Sequence, residues 1–204
     1  MATVARTAAT HDRCIIPLLS SWDSHHIRVS VKVHRSIQAA NALEEQLGWR
    51  VAMPTSEELQ ASCEAGLHPQ GSEGSQPFCL LPYSHPVRRN DRRISGPLWT
   101  GPLFNQDVLE SMTVERATEL CGENAEVAVR HWVGEAELAS VPTLIITDML
   151  PKFCEVTGPP KMADLVAGLK DAGYKAAVAR WGAPAIRTDA PWPVVLEVTE
   201  GCFN

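Results

Sequence analysis

Between Ile27 and His34 the chain alternates without a break. Ile27, Val29, Val31 and Val33 are β-branched, and Arg28, Ser30, Lys32 and His34 are polar. A period of two puts the two sets on opposite faces, which predicts a strand buried on one face and suited to a sheet edge or an antiparallel pair. Just before it, Cys14-Ile15-Ile16-Pro17-Leu18-Leu19 predicts a strand entered from a helix end, with Pro17 confined to a strand start or edge. Asp23-Ser24-His25-His26 marks the turn between them. Ser36 is placed to cap a helix through Ala39, Ala40, Leu43 and Leu47 that ends at Gly48. Trp49 to Met53 predicts a short strand, and Ser56 to about Glu64 a short helix. Residues 66–95 cluster Gly, Pro, Ser and Gln with no sustained period, which predicts an irregular loop. A loop of roughly thirty residues is long for a compact domain and marks a functional or mobile segment.

Order returns at Gly96. Asn105 or Asp107 can cap a helix over Val108, Leu109 and Met112, and Thr113 one through Ala117 and Leu120. Helical composition continues from Asn124 to Ala139, and Pro142-Thr143 opens a further predicted helix that ends near Gly158. Pro160 sits at an N1 position, and Met162, Leu165, Val166 and Leu169 form an apolar stripe stopped by Gly173. Tyr174 to Trp181, then Ile186 after Gly182-Ala183-Pro184, predict a β-hairpin. Helix, turn, helix and hairpin in that order are those of a winged helix.

Composition narrows the class. With 45% hydrophobic and 21% charged residues in 204, the chain can bury a core as one domain or two small ones. No apolar run approaches the roughly 18 residues of a membrane span. The net charge of −6 argues against a general nucleic-acid binder held by bulk electrostatics. Residues 1–95 carry 10 basic against 9 acidic side chains and residues 96–204 carry 8 against 15, so any phosphate contact must be local. The densest basic cluster is Arg88-Arg89-Asn90-Asp91-Arg92-Arg93. Residues 1–10 are rich in Ala and Thr and read as a disordered tail, although Arg6 and the lack of acids also fit a transit peptide. The six cysteines are scattered, with no Cys-x-x-Cys pair, and read as reduced and mostly buried.

Two phrases carry a resemblance. The first is Gly96-Pro97-Leu98-Trp99-Thr100-Gly101-Pro102-Leu103. The second runs from Pro159-Pro160-Lys161 through Leu169 and Ala172-Gly173-Tyr174 to Arg187-Thr188-Asp189-Ala190-Pro191. Together with Ile16-Pro17-Leu18-Leu19-Ser20 and the strand Ile27 to Val33, they resemble the C-terminal half of the tRNA (guanine-N2-)-dimethyltransferase family. Members of that family methylate a guanine of tRNA with S-adenosylmethionine. The resemblance covers residues 11–34 and 96–191 well and the stretch between them poorly. It implies an α+β fold: the terminal strands of a methyltransferase (Rossmann-like) sheet, then a helical C-terminal domain with a winged-helix-like end. The implied domains are a remnant of the methyltransferase domain at 11–40, a divergent insertion at 41–95 and a tRNA-binding domain at 96–204.

The RNA-binding residues implied are Arg88, Arg89, Arg92 and Arg93 on phosphates, Trp99 as a stacking platform, and Arg180 and Arg187 on the hairpin. The structural alternatives are a rigid turn anchored by Trp99, and a turn at 187–191 in which Asp189 accepts backbone hydrogen bonds. Where the family has Ser-Arg-Thr-His, this chain has Ala177-Val178-Ala179-Arg180, which leaves Arg180 as the one basic residue there. Relatives also carry Cys-x-x-Cys pairs before the first phrase, suggestive of zinc. Here that region offers Cys63, Cys79, His68 and His85, and no metal site is expected.

A cofactor site needs a glycine-rich turn after a strand and an acid after the next, and the family's catalytic Asp-Pro-Phe-Gly has no counterpart here. The expectation is therefore that S-adenosylmethionine belongs to the full-length enzyme and not to this chain. No catalytic or cofactor-binding residue is assigned. The chain is expected to supply tRNA positioning, with tRNA and a missing N-terminal catalytic half as partners, inside the cell. The alternative is a non-catalytic RNA-binding or protein-interaction module derived from the enzyme. A truncated gene model is a third reading.

Overall fold

The computed structural model of the protein describes residues 1–23, 25–52, 78–87, 94–179 and 183–203. The short helix expected at 56–64 lies outside them. The chain divides into two compact units, Met1–Ile16 with Lys32–Gly101, and Pro17–Val31 with Pro102–Asn204.

The first unit opens with α1 (Ala2–Ala9), where a disordered tail was expected. Eight residues are too few for a helix to persist alone, so its stability comes from packing. Ala5 is buried, and α1 lies against the segment 37–46. The chain then runs through β1 (Arg13–Asp23) and β2 (His26–Arg35), a two-stranded sheet whose residues Pro17–Val31 belong to the second unit, and turns into α2 (Ile37–Asn41) of the first. Pro17 is tolerated within β1 because each strand of a two-stranded sheet has an outer edge that needs no donor. The alternation in β2 is only partly buried: Val29 and Val31 are half-covered, whereas Ile27 is 70% and Val33 48% exposed. Ser36 caps α2 as expected, its Oγ accepting the Ala39 N–H at 3.2 Å.

The helix then tightens into a 3-10 turn (Ala42–Gln46), and Leu47, expected as helical, begins β3 (Leu47–Ala52). β3 is the centre of a three-stranded antiparallel sheet, flanked by β4 (Phe78–Pro82) and β5 (Ile94–Trp99). Gly48 therefore serves strand packing and not helix termination, since a Cβ there would lie 2.7 Å from the Leu81 carbonyl oxygen. The irregular loop expected over 66–95 is corrected at Phe78–Pro82 and Ile94, which are sheet. Short apolar runs such as Phe78-Cys79-Leu80-Leu81 show no period of their own, and pairing with β3 defines them.

The second unit begins its C-terminal part with three helices, two of them capped by side chains. Asn105 Oδ1 accepts the Val108 N–H at 3.0 Å at the start of α3 (Gln106–Glu110), and Thr113 Oγ1 the Arg116 N–H at 3.2 Å at the start of α4 (Val114–Cys121). α5 (Asn124–Gly134) follows and leads into a 3-10 turn over Ala136–Leu138. Phe104, Leu109, Ala136 and Ala139 are the buried heart of this part, with Leu19 and Trp132 against them.

The helix expected at 142–158 is absent. Ile145–Ile146 form a two-residue strand, β6, and Thr147–Lys152 a 3-10 turn that holds Pro151. Two β-branched residues that find a pairing partner, and a proline without an N–H, both oppose an α-helix here.

α6 (Met162–Asp171) follows the expected stripe, with Leu165 and Leu169 fully buried. It ends in a Schellman turn: Gly173 takes φ +90°, Tyr174 N–H reaches Leu169 O, and Gly173 N–H reaches Lys170 O. The expected hairpin is β7 (Ala176–Ala179) with β8 (Ala185–Thr188), antiparallel, and β6 completes a sheet of order β6-β8-β7. Pro191 ends the hairpin and leads into α7 (Trp192–Gly201), a helix not foreseen. Leu150, Leu165, Leu169, Ile186, Trp192 and Val195 close the core of this region, with Phe153 meeting Trp192 edge-on at 5.4 Å. The architecture is mixed α/β with small antiparallel sheets.

Candidate nucleic-acid interface

Five of the residues expected to touch RNA, Arg88, Arg89, Arg92, Arg93 and Arg180, lie outside the described residues. The structure places the other two, Trp99 and Arg187, in the interior.

Trp99 closes β5 and is 9% exposed. The phrase it belongs to is a strand with a bulge, where a rigid turn anchored by Trp99 was one reading. Gly48 faces Leu98 and Arg50 faces Ser95, so two steps on β3 span three on β5, and Gly96-Pro97 supplies the extra residue. A bulge accommodates a proline, which has no N–H to give to the ladder. Gly96 is required there, because its φ is +145° and a Cβ would stand 2.8 Å from the Trp49 ring. Trp49 in turn stacks on Tyr83 at 5.9 Å and donates from Nε1 to the Tyr83 carbonyl. Gly101 leaves room for the Trp99 indole, which a Cβ at that position would approach to 3.0 Å. Trp99 is an anchor whose ring is not offered to a base.

Arg187 is central in β8, where all four residues are buried. Its Nε donates to Glu135 Oε2 at 2.9 Å, and Nη1 donates to the carbonyls of Val141 and of Thr143, the latter at 3.2 Å. The guanidinium also lies over the Phe104 ring, 5.3 Å from its centroid. With these partners the charge is satisfied internally, so Arg187 holds the loop after α5 onto the sheet and does not present itself to a phosphate. Asp189 takes the structural role available to it: its Oδ1 accepts the Lys175 N–H at 2.8 Å, while Thr188 Oγ1 donates to the Lys175 carbonyl.

Solvent-facing cations lie elsewhere in the second unit. Arg116 and Arg130 are exposed but paired along their own helices with Glu119 and Glu126. Lys170 and Lys175 are exposed on either side of half-buried Tyr174, on an open groove of about 640 Å³ that Glu110 and Glu137 also line. Sequence reasoning missed this trio, although an aromatic between two lysines at a helix end is a legible signal. Among the described residues no group of three or more His, Cys, Asp and Glu is arranged to hold a metal ion. No helix of the described residues is long and apolar enough to cross a membrane.

Comparison with known proteins accounts for this arrangement. The family model for N2,N2-dimethylguanosine tRNA methyltransferase matches residues 1–200. The chain belongs to this family. A tRNA (guanine(26)-N(2))-dimethyltransferase of Aeropyrum pernix is 31% identical over 198 residues, which is 95% of this chain and 45% of the relative. One from Methanocorpusculum labreanum is 28% identical over 201 residues, covering 97% and 48%. The chain thus spans about half the length of the curated relatives it matches. Among solved structures, Trm1 from Pyrococcus horikoshii in complex with S-adenosyl-L-methionine matches with a TM-score of 0.73 at 21% identity, over 97% of this chain and 47% of that one. That likeness establishes the fold. In this chain the two phrases that carry the resemblance include interior residues, Trp99 in the first and Leu165, Leu169 and Arg187 in the second.

Proposed function

We propose that this chain is the C-terminal part of an S-adenosylmethionine-dependent tRNA guanine-N2-methyltransferase, and that it positions tRNA for a catalytic half supplied by a preceding segment. The observation that carries this reading is the coverage: nearly the whole chain aligns, yet with less than half of the Aeropyrum relative. Where registers are defined, the strands of the described residues pair antiparallel. No step of methyl transfer is assigned to a residue of this chain. In the whole enzyme, the exocyclic amine of a guanine displaced from its stack would accept the methyl group.

For tRNA contact, Arg88, Arg89, Arg92, Arg93 and Arg180 keep their proposed roles on phosphates. Lys170 and Lys175, with Tyr174 between them, take the place first given to Arg187 and Trp99. The module they belong to is read as winged-helix-like, with α6 preceding the β7–β8 hairpin. The test is a salt titration of tRNA binding. Replacing Arg88, Arg89, Arg92 and Arg93 together, or Lys170 and Lys175 together, by Ala should weaken binding to all tRNAs. The salt slope should flatten by roughly 0.7–0.9 for each phosphate that is no longer neutralised. Unchanged slopes in both variants would overturn the tRNA-positioning role. Calorimetric titration of the isolated chain with S-adenosylmethionine should show no binding, and micromolar affinity would overturn the assignment of the cofactor to another segment.

A further inference from the structure

We infer that the groove around Tyr174 takes one unpaired guanosine of an RNA, its base stacked on Tyr174 and read by the Glu137 carboxylate, its flanking phosphates on Lys170 and Lys175. The inference rests on the tRNA-positioning role proposed above and names what one contact of that role recognises. Lys170 lies in the last turn of α6, and Tyr174 and Lys175 join that helix to β7. Glu110 ends α3, and Glu137 lies in the 3-10 turn that follows α5. All five line one groove of the second unit, with buried Leu138 in its wall. Its volume of about 640 Å³ falls within the roughly 300–1,000 Å³ of small-molecule sites, which is room for a nucleotide.

The unpartnered polar groups decide the chemistry. Glu110 is occupied, its Oε1 accepting from Gln106 Nε2 at 2.7 Å. The charged ends of Glu137, Lys170 and Lys175 are exposed on the same groove, yet they have no hydrogen-bond or ion-pair partner among the described residues. Opposite charges that share a groove without pairing leave space between them for a molecule with an anionic part and a hydrogen-donating part. A nucleotide has both. Its phosphate suits the two ammonium groups, and its base meets a carboxylate, which when ionised only accepts hydrogen bonds.

That condition selects one base. Guanine presents two adjacent N–H donors, at N1 and N2, which match the two oxygens of a carboxylate. Cytosine and adenine set one amine beside an acceptor nitrogen, and uracil sets one N–H between two carbonyls. Each of these three turns a lone pair toward the carboxylate. The guanine donors lie on the Watson–Crick edge, so the base must be unpaired, as in the loops and bulges where RNA sequence is read. Tyr174 is half-buried and its ring stacks on no other ring of the described residues. Stacking on such a ring tolerates any base, so it adds affinity while Glu137 adds the choice.

The experiment measures binding of the labelled pentaribonucleotides UUGUU, UUAUU, UUCUU and UUUUU to the whole chain by fluorescence anisotropy at low salt. UUGUU should bind more tightly than the other three by on the order of tenfold, the discrimination of one bidentate contact. Glu137→Gln keeps the shape of an exposed side chain but offers one acceptor and one donor, and should make all four bind alike. Tyr174→Ala should weaken all four by a similar factor, on the order of tenfold. Equal affinities in the parent chain would overturn the inference, as would a guanine preference retained in Glu137→Gln. If either result came with tRNA salt slopes that still respond to Lys170 and Lys175, the tRNA-positioning role would stand without it. A parent chain that binds neither the oligonucleotides nor tRNA would overturn both.

Discussion

Arg187 on β8 and Glu135 just beyond α5 form an ion pair of 2.9 Å with side chains 4% and 3% exposed, fifty-two residues apart in sequence. Removing one partner of such a pair leaves the other charge buried without compensation, which is worse than never having had the pair. Arg187→Ala is expected to cost about 3–5 kcal/mol. Arg187→Met combined with Glu135→Leu should recover much of that, since an apolar pair of similar volume buries no charge. Urea unfolding of the three proteins measures it. A single variant as stable as the parent would show that the pair is dispensable.

Leu169 faces a packed core and should respond as a core residue. Leu169→Ala is expected to lose about 2–5 kcal/mol, the cost of the deleted carbons together with the cavity they leave. An unchanged thermal midpoint would mean that the helix phase of α6 is wrong.

Gly168, one residue earlier, sets two effects against each other. Alanine favours a helix by about 1 kcal/mol over glycine. A Cβ at this position, however, would lie 2.6 Å from Val198 Cγ1 on α7, and overpacking of that kind costs typically about 1–3 kcal/mol. Gly168→Ala should therefore destabilise by a small amount, and adding Val198→Ala should relieve the clash. A stabilised single variant would show that α7 yields at no cost.

Trp99 offers a test that separates anchoring from RNA binding. Trp99→Leu should lower the unfolding midpoint of the first unit while leaving the salt slope of tRNA binding unchanged, because the indole is interior. Weaker tRNA binding at unchanged stability would restore Trp99 as a stacking platform.

Cys154 and Cys202 have thiols whose pKa values are pushed up, chiefly by burial, with Glu200 and Asp164 adding like-charge repulsion. The folded state thus holds these protons to higher pH than the unfolded chain does. Their contribution to stability is present below the ordinary thiol value of about 8.5 and is lost as pH rises through the raised folded values. Unfolding titrations at pH 7 and pH 10 should show a drop in stability that Cys154→Ser with Cys202→Ser reduces. Both thiols should also react slowly with iodoacetamide at pH 8.

Much of the local structure was legible in the sequence for reasons that stay local. Ser36, Asn105 and Thr113 cap helices because a side-chain oxygen three residues before an amide needs nothing else. Gly173 ends α6 because φ +90° suits glycine, and Leu165 and Leu169 were found by their spacing. Family membership was legible too, since the two phrases are contiguous in the chain.

Tertiary structure decided where those elements went. β4 and the start of β5 looked like loop because a five-residue apolar run is defined by its partner, β3, about thirty residues away. Ile145–Ile146 left a predicted helix because β8 offered a pairing edge, and α1 formed because Ala5 found a packing surface that composition could not announce. The roles of Trp99 and Arg187 turned on the same physics. A tryptophan or an arginine in a signature phrase can serve RNA or the core, and burial chooses between them. For Arg187 that choice rests on a carboxylate fifty-two residues earlier and on two backbone carbonyls, which only folding brings within 3.2 Å or less.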